Sequence, residues 1–225
     1  MLSSTNAITP QGYEHFRKYL EKACGILLSD NKQYLVASRL GKLLEREGFT
    51  KLEQLVEALT RFGNAKLKEE VINAMTTNET LWFRDAHPFN ILKDKILPEQ
   101  SKTALRIWSA AASTGQEAYS ISMIIDEFKA AKPSVLRGGE KIIATDICTN
   151  ILAHAKQAEY DHLAIARGLA VERQNKYFDK LENGSWKIKR NISSRVDFRH
   201  LNLIESYAAL GKFDVIFCRN VLIYF

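Results

Sequence analysis

The chain has 225 residues, 46% of them hydrophobic and 26% charged, and a formal net charge of +6 at pH 7. That apolar content supports one medium domain and a small one, each with its own core. No apolar run approaches the roughly eighteen residues of a membrane span, and MLSSTNAITPQGYEHF lacks the basic-then-apolar order of a secretory leader, so no membrane insertion is expected. Cys24, Cys148 and Cys218 are far apart with no CxxC, which suits reduced, buried thiols in a cytoplasmic protein. The histidines show no HExxH spacing, and no metal is expected. Basic residues are interleaved with acids, which fits a solvated surface or an acidic protein partner better than a nucleic-acid groove.

Residues 10 to 75 read as helix throughout. Asp30 is placed as the N-cap of a helix running to about Glu47, with Gly48 as its stop. Leu35, Leu40, Leu43 and Leu44 form its apolar stripe, and Arg39, Lys42 and Arg46 recur on another face. MTTNETLWFRD then breaks the helical pattern at a junction, and a helix over 86 to 97 ends before Pro98. From Leu105 the rhythm alternates: LRIWSAA strand, QEAYSISMIIDEFKAA helix, KIIATD strand, NILAHAKQAEY helix, and later FDVIFC strand. That alternation is the mark of a parallel α/β sheet. Around Trp186, Ile188, Val196 and Phe198 the apolar residues alternate, with turn signals at Asn183-Gly184 and Ser193-Ser194, so a small antiparallel hairpin is expected at about 184–198. The division expected is a helical N-terminal domain, 1–76, and an α/β domain, 77–225, carrying that insert.

In such a sheet, ligands bind beyond the carboxyl ends of the strands. Four strands end in polar residues there. The first leads into SAAASTGQEAYS, which resembles a nucleotide-binding turn but has one glycine, Gly115. A pyrophosphate needs closer backbone approach than that, whereas a phosphate-free ligand such as S-adenosylmethionine does not. Glu117, in the first turn of the following helix, can take an ammonium group. Asp146 ends the second strand and can accept ribose hydroxyls. Asn202 and Leu203 follow the third and can meet the edge and face of an adenine. CRNV follows the fourth.

With these residues in order, the sequence resembles the CheR family, the S-adenosylmethionine-dependent methyltransferases that esterify glutamate side chains of bacterial chemoreceptors. NETLWFRD, WSAAASTGQEAYS, ATDI, VDFRHLNL and FDVIFCRNVLIYF carry the resemblance, which runs from about residue 12 to the last. It implies a helical domain that docks the receptor, a Rossmann-like catalytic domain and an inserted antiparallel subdomain. It also implies cofactor contacts from Asn78, Thr80, Arg84, Glu117, Asp146, Asn202, Leu203, Arg219 and Asn220, with Arg84 and Tyr224 placing the acceptor carboxylate. Ala112 and Ala118 depart from the family's usual cysteine and proline beside the site. The implied partners are methyl-accepting chemotaxis receptors, through their cytoplasmic helical region, and the implied product is S-adenosylhomocysteine.

A glutamate carboxylate is already ionised at pH 7, so methyl transfer to it needs alignment and water exclusion and no general base. The face carrying Arg39, Lys42 and Arg46 would dock an acidic receptor helix. A monomer is the default state. CRNV stands where base-modifying methyltransferases usually carry a Pro-Pro motif, and the glycine-poor loop disfavours a nicotinamide dehydrogenase. Val215, Ile216 and Phe217 suit an interior strand, which makes a fragment lacking its C-terminal strands the expectation, and a non-catalytic binding module the alternative.

Overall fold

The computed structural model describes residues 8–100, 104–136 and 138–225, which fall into two bodies. The first contains residues 8–77 together with Asn202–Ser206 and Asn220–Phe225. The Thr9 hydroxyl accepts from the amide of Gly12 at 2.9 Å and Pro10 occupies the first turn, so α1 (Pro10–Cys24) starts with both of its favoured N-terminal devices. Three more helices follow: α2 (Gln33–Arg46), α3 (Leu52–Thr60) and α4 (Ala65–Met75). Their apolar stripes bury Phe16, Leu20, Val36, Leu40, Leu44, Leu55, Leu59 and Val71.

Gly48 ends α2 as expected. It is left-handed (φ +72°), its amide donates to the Glu45 carbonyl, and the Phe49 amide reaches back to the Leu44 carbonyl at 2.8 Å. Asp30 is not the N-cap. It pairs with Arg17 at 2.5 Å, and the helix begins after Lys32. Two residues of the basic face have partners within this body. Arg39 donates to the carbonyls of Met75 (2.6 Å) and Thr76 (3.1 Å) and to the Thr77 hydroxyl, closing the exposed end of α4. Arg46 pairs with Glu47 and Glu70. Lys42 and Arg46 are both exposed. Gly25, left-handed at φ +76°, ends α1, and a Cβ there would lie 2.3 Å from the Phe225 ring. The Leu27 amide donates to the Tyr224 carbonyl at 2.8 Å.

The second body is Asn78–Leu201 with Tyr207–Arg219. It opens with α5 (His87–Ile91), a π-helical turn (Leu92–Ile96) and α6 (Leu97–Glu99). The helix therefore passes through Pro98 instead of stopping before it, and the wide turn directly precedes this residue that brings no N–H. Then come β1 (Arg106–Ala110), α7 (Gln116–Ala131), β2 (Lys141–Asp146), α8 (Thr149–Gln157) and β3 (Glu159–Tyr160). After these run α9 (His162–Ala166), α10 (Val171–Tyr177), β4 (Phe178–Lys180), β5 (Trp186–Ile188), α11 (Arg190–Ser193), β6 (Val196–His200) and β7 (Val215–Cys218).

The main sheet is parallel with order β6-β2-β1-β7. The chain winds outward from β1 to β2 and β6, then returns to place β7 on the other side of β1. The carboxyl ends of β1 and β7 therefore diverge at a topological switch point. β1 and β2 are buried almost along their whole lengths. β7 lies at the edge among the described strands and leaves Ile216 55% exposed, the apolar edge expected of an interior-type strand with no further strand beside it; Cys218 is exposed as well, against the expectation of a buried thiol.

A second, antiparallel sheet has order β3-β5-β4. The expected insert is therefore present but earlier in the chain. Asn183-Gly184 does form its turn, with the Leu181 amide bonded to the Ser185 carbonyl at 2.9 Å, and the strand paired with Trp186–Ile188 is Phe178–Lys180. Val196–His200 alternates in the same way but joins the parallel sheet against Ile142–Asp146. The helical turn α11 separates the two strands that the pattern had merged.

Candidate functional site: the cofactor end of the parallel sheet

The loop from β1 to α7 is built from small residues and holds three left-handed positions, Ala111 (φ +56°), Ser113 (φ +51°) and Gly115 (φ +93°). At Gly115 a Cβ would sit 3.0 Å from the Phe198 ring and 3.1 Å from Tyr119, so glycine lets α7 approach β6 closely. The loop's amides are turned inward. Ala112 donates to the Thr145 carbonyl at 2.9 Å, Ser113 to an Asp146 carboxylate oxygen at 2.8 Å, and Gly115 to the Ala112 carbonyl at 2.9 Å. These three donors are spent inside the protein, so the loop is not a phosphate cradle.

Two clusters hang from this loop. Ser113 joins the first: its hydroxyl donates to the Asn78 carbonyl at 2.8 Å while its amide holds Asp146. The other Asp146 oxygen accepts from the Cys148 amide at 2.9 Å. Asp146 is buried, and burial raises its pKa; the amides of Cys148, Ser113 and Ile147 oppose the rise.

Arg219 joins the second cluster. It is the first residue after β7, and it reaches across the switch point to Glu117 in the first turn of α7, Nη1 to Oε2 at 3.0 Å. Its other terminal nitrogen donates to the Arg84 carbonyl at 2.6 Å and to Asp85 at 2.8 Å. Ser109, in β1, donates to the second Glu117 oxygen at 2.8 Å. Both side chains of the Arg219–Glu117 pair are only 15% exposed. Burial raises the Glu117 pKa; Ser109, Arg219 and Arg84 pull it back. Arg84 donates to the Glu79 carbonyl at 3.1 Å, and its neighbours Phe83 (φ +50°) and Asp85 (φ +55°) are both left-handed.

Six of the ten residues expected at the site therefore share the second body: Asn78, Thr80, Arg84, Glu117, Asp146 and Arg219. Five are linked through the β1–α7 loop and Arg219. Thr80 joins Asn78, Thr114, Gln116 and His154 in lining a cleft of about 450 Å³. The other four, Asn202, Leu203, Asn220 and Tyr224, belong to the first body. There Asn202 is buried and its amide hydrogens go to the Ala23 carbonyl (2.9 Å) and Glu205 (3.3 Å). Leu203 and Tyr224 are half-buried, and Asn220 is exposed and left-handed at φ +53°.

Comparison with known proteins places these features. The description "CheR methyltransferase, all-alpha domain" matches residues 11–76, and "CheR methyltransferase, SAM binding domain" matches residues 78–225. The chain belongs to the CheR methyltransferase family. It is 55% identical over 217 residues to chemotaxis protein methyltransferase Cher2 of Pseudomonas putida, covering 95% of this chain and 79% of that protein. It is 54% identical to chemotaxis protein methyltransferase 1 of Pseudomonas aeruginosa, covering 100% and 81%, and 35% identical to the chemotaxis protein methyltransferase of Escherichia coli, covering 94% and 74%.

As in a Rossmann-like CheR methyltransferase, the S-adenosylmethionine-binding domain carries a parallel sheet with helices and a small antiparallel sheet. The residues present fit that ligand. It brings no phosphate to a loop that spends the amides of Ala112, Ser113 and Gly115 inside the protein. Glu117 offers a carboxylate to match its ammonium group, and the Asp146 oxygens keep acceptor capacity beyond the amides of Ser113, Cys148 and Ile147.

Sequence reading singled out Glu117, Asp146 and Arg219 from their places after the strands. It missed Ser109, Ser113 and Asp85, which bond to Glu117, Asp146 and Arg219 in turn. A small polar residue inside an otherwise apolar strand was the available signal for Ser109. For Asp85 there was none, because its role depends on Arg219, 134 positions away.

Proposed function

We propose that this chain transfers a methyl group from S-adenosylmethionine to glutamate side-chain carboxylates in the cytoplasmic helical region of methyl-accepting chemotaxis receptors, leaving S-adenosylhomocysteine and the glutamate methyl ester. It would act as a cytoplasmic monomer built from a helical domain, 1–76, and a catalytic domain, 77–225. The relatives' names support the chemotaxis setting. The observation that carries the reading is the Arg219–Glu117 pair across the switch point, beside a loop that spends the amides of Ala112, Ser113 and Gly115 inside the protein.

S-adenosylmethionine, when bound, supplies a strongly electrophilic methyl on sulfonium. The protein's part is to orient and to exclude water. Glu117 holds an ammonium group and Asp146 a ribose diol. Asn78 and Thr80 flank them from the junction segment. Arg84 holds the acceptor carboxylate by charge-assisted hydrogen bonds. From the first body, Tyr224 is assigned to the acceptor, and Asn202, Leu203 and Asn220 to the cofactor.

Calorimetric titration with S-adenosylhomocysteine tests the pocket. Saturable one-to-one binding is expected, lost in Asp146→Ala; a folded chain that binds nothing rules the reading out. Arg84→Ala should keep that binding within about tenfold and lower receptor methylation by about a hundredfold, the scale of losing a charged contact made to the reacting group. Methylation surviving that change would remove Arg84 from the reaction.

The same titration has a pH dependence. Glu117 and Asp146 both have raised pKa values, so in the fold each takes up a proton at a higher pH than an ordinary carboxylate. Binding needs both ionised. Affinity is therefore full above their raised pKa values and is lost as the pH falls through them, beginning above the ordinary carboxylate range. An affinity constant down to pH 4 would contradict this.

A further inference from the structure

Phe83 is a bulky residue in a left-handed conformation, and two positions on Asp85 is left-handed as well. Such backbone persists only where the surroundings over-determine it. Three contacts hold it. The Phe83 amide donates to the Ser120 hydroxyl at 3.2 Å. On one face of the ring lies Phe89, edge-on with centroids 5.4 Å apart. The Arg173 guanidinium of α10 also lies over the Phe83 ring, 3.9 Å from its centroid. Arg173 is itself fixed by two hydrogen bonds to the Glu127 carboxylate of α7, at 2.7 and 2.9 Å, with both side chains less than a third exposed.

The stack continues inward. The Arg219 guanidinium stands 5.6 Å from the centroid of Phe89. Two arginines are thus joined through two rings: Arg173, Phe83, Phe89, Arg219. The turn that Arg173 clamps also supplies two of the acceptors on Arg219, the Arg84 carbonyl and the Asp85 carboxylate. A relaxed Phe83–Asp85 turn would leave Arg219 with Glu117 alone.

We propose that Arg173, braced by Glu127, is a positioning residue of the methyltransferase site, holding the Phe83–Asp85 turn in the left-handed form that keeps Arg219 on Glu117. Arg173 touches neither substrate nor cofactor in this account. The inference rests on the reading of Glu117 and Arg219 as part of the cofactor site.

The test titrates S-adenosylhomocysteine into wild type, Arg173→Ala, Arg173→Lys, Asp85→Ala and the double variant Arg173→Ala/Asp85→Ala, with a thermal melt of each. Arg173→Ala should weaken binding about tenfold, the size of one lost charge-assisted hydrogen bond. Arg173→Lys, which keeps a cation over the ring, should recover a large part of that loss. The double variant should bind no worse than the weaker single one, because both changes act through the same turn. Wild-type affinity in Arg173→Ala, or losses that add in the double variant, overturns the inference. A lowered melting temperature with unchanged affinity does the same, since it makes Arg173 purely structural. Should Arg173→Ala not fold, Arg173→Met, which keeps the length without the cation, takes its place: about tenfold weaker binding is expected, and wild-type affinity overturns the inference. A wild-type chain that binds nothing overturns the site itself, and this inference with it.

Discussion

Replacing Arg219 by alanine is expected to abolish S-adenosylhomocysteine binding and methyl transfer, each by at least about a hundredfold. Arg219 holds three partners at once, Glu117, the Arg84 carbonyl and Asp85. Its removal leaves Glu117 buried, with Ser109 as its direct hydrogen-bond donor. Breaking a buried ion pair from one side costs about 3–5 kcal/mol, because the remaining charge keeps its desolvation penalty. With the Arg219 charge gone, burial carries the Glu117 pKa further up, and the carboxylate is a poorer counter-charge for an ammonium group. Adding Glu117→Gln to Arg219→Ala should restore the melting temperature without restoring binding. Turnover within threefold of wild type in Arg219→Ala would show that the pair is not part of the site.

The largest stability effect belongs to Trp82→Ala. Trp82 is fully buried, with Tyr160 and Phe178 packed edge-on against it at 4.9 and 5.4 Å between centroids. Its indole N–H donates to the Ala164 carbonyl at 3.0 Å, and its amide donates to the Arg167 carbonyl at 3.1 Å. Truncation opens a large cavity and removes one of the donors on the Ala164 carbonyl, at a cost of about 3–5 kcal/mol. For a chain of this size that lowers the melting point by about 10 °C. Calorimetry would show it; a melt within about 2 °C of wild type would mean that these rings are not packed together. Thus Trp82, inside the NETLWFRD motif, acts as core.

The α/β domain was legible because a parallel strand buried on both faces writes a continuous apolar run, as RIWSA and KIIATD do. Gly48 was legible because a left-handed stop is a local backbone demand. Asp30 misled because its side chain had a competing partner, Arg17, that only the folded chain brings near. The hairpin was misplaced because alternation at 186–188 and at 196–198 looks alike, while the partners differ: the first pairs across a local turn with the preceding Phe178–Lys180, and the second pairs with the distant Ile142–Asp146. Arg39 and Arg46 read as a docking face because helical spacing reveals which residues share a side, and says nothing of carbonyls or carboxylates on α4 waiting opposite. Within the site, carboxylates at strand ends were visible from position alone. The Arg173–Phe83–Phe89–Arg219 stack was not, since it joins residues from three widely separated stretches of the chain.

The helical body is first in the order of synthesis and cannot be first in the order of completion. The Ala23 carbonyl receives Asn202, 179 positions downstream, and the Leu27 amide needs the carbonyl of Tyr224. A ribosome delivers α1 to α4 early, yet the end of α1 must wait with unmet backbone groups until nearly the whole second body has emerged. Such closures of long sequence separation come late and slowly. On a growing chain the nascent N-terminal helices are thus an open clasp, shut only by residues that arrive after the sheet.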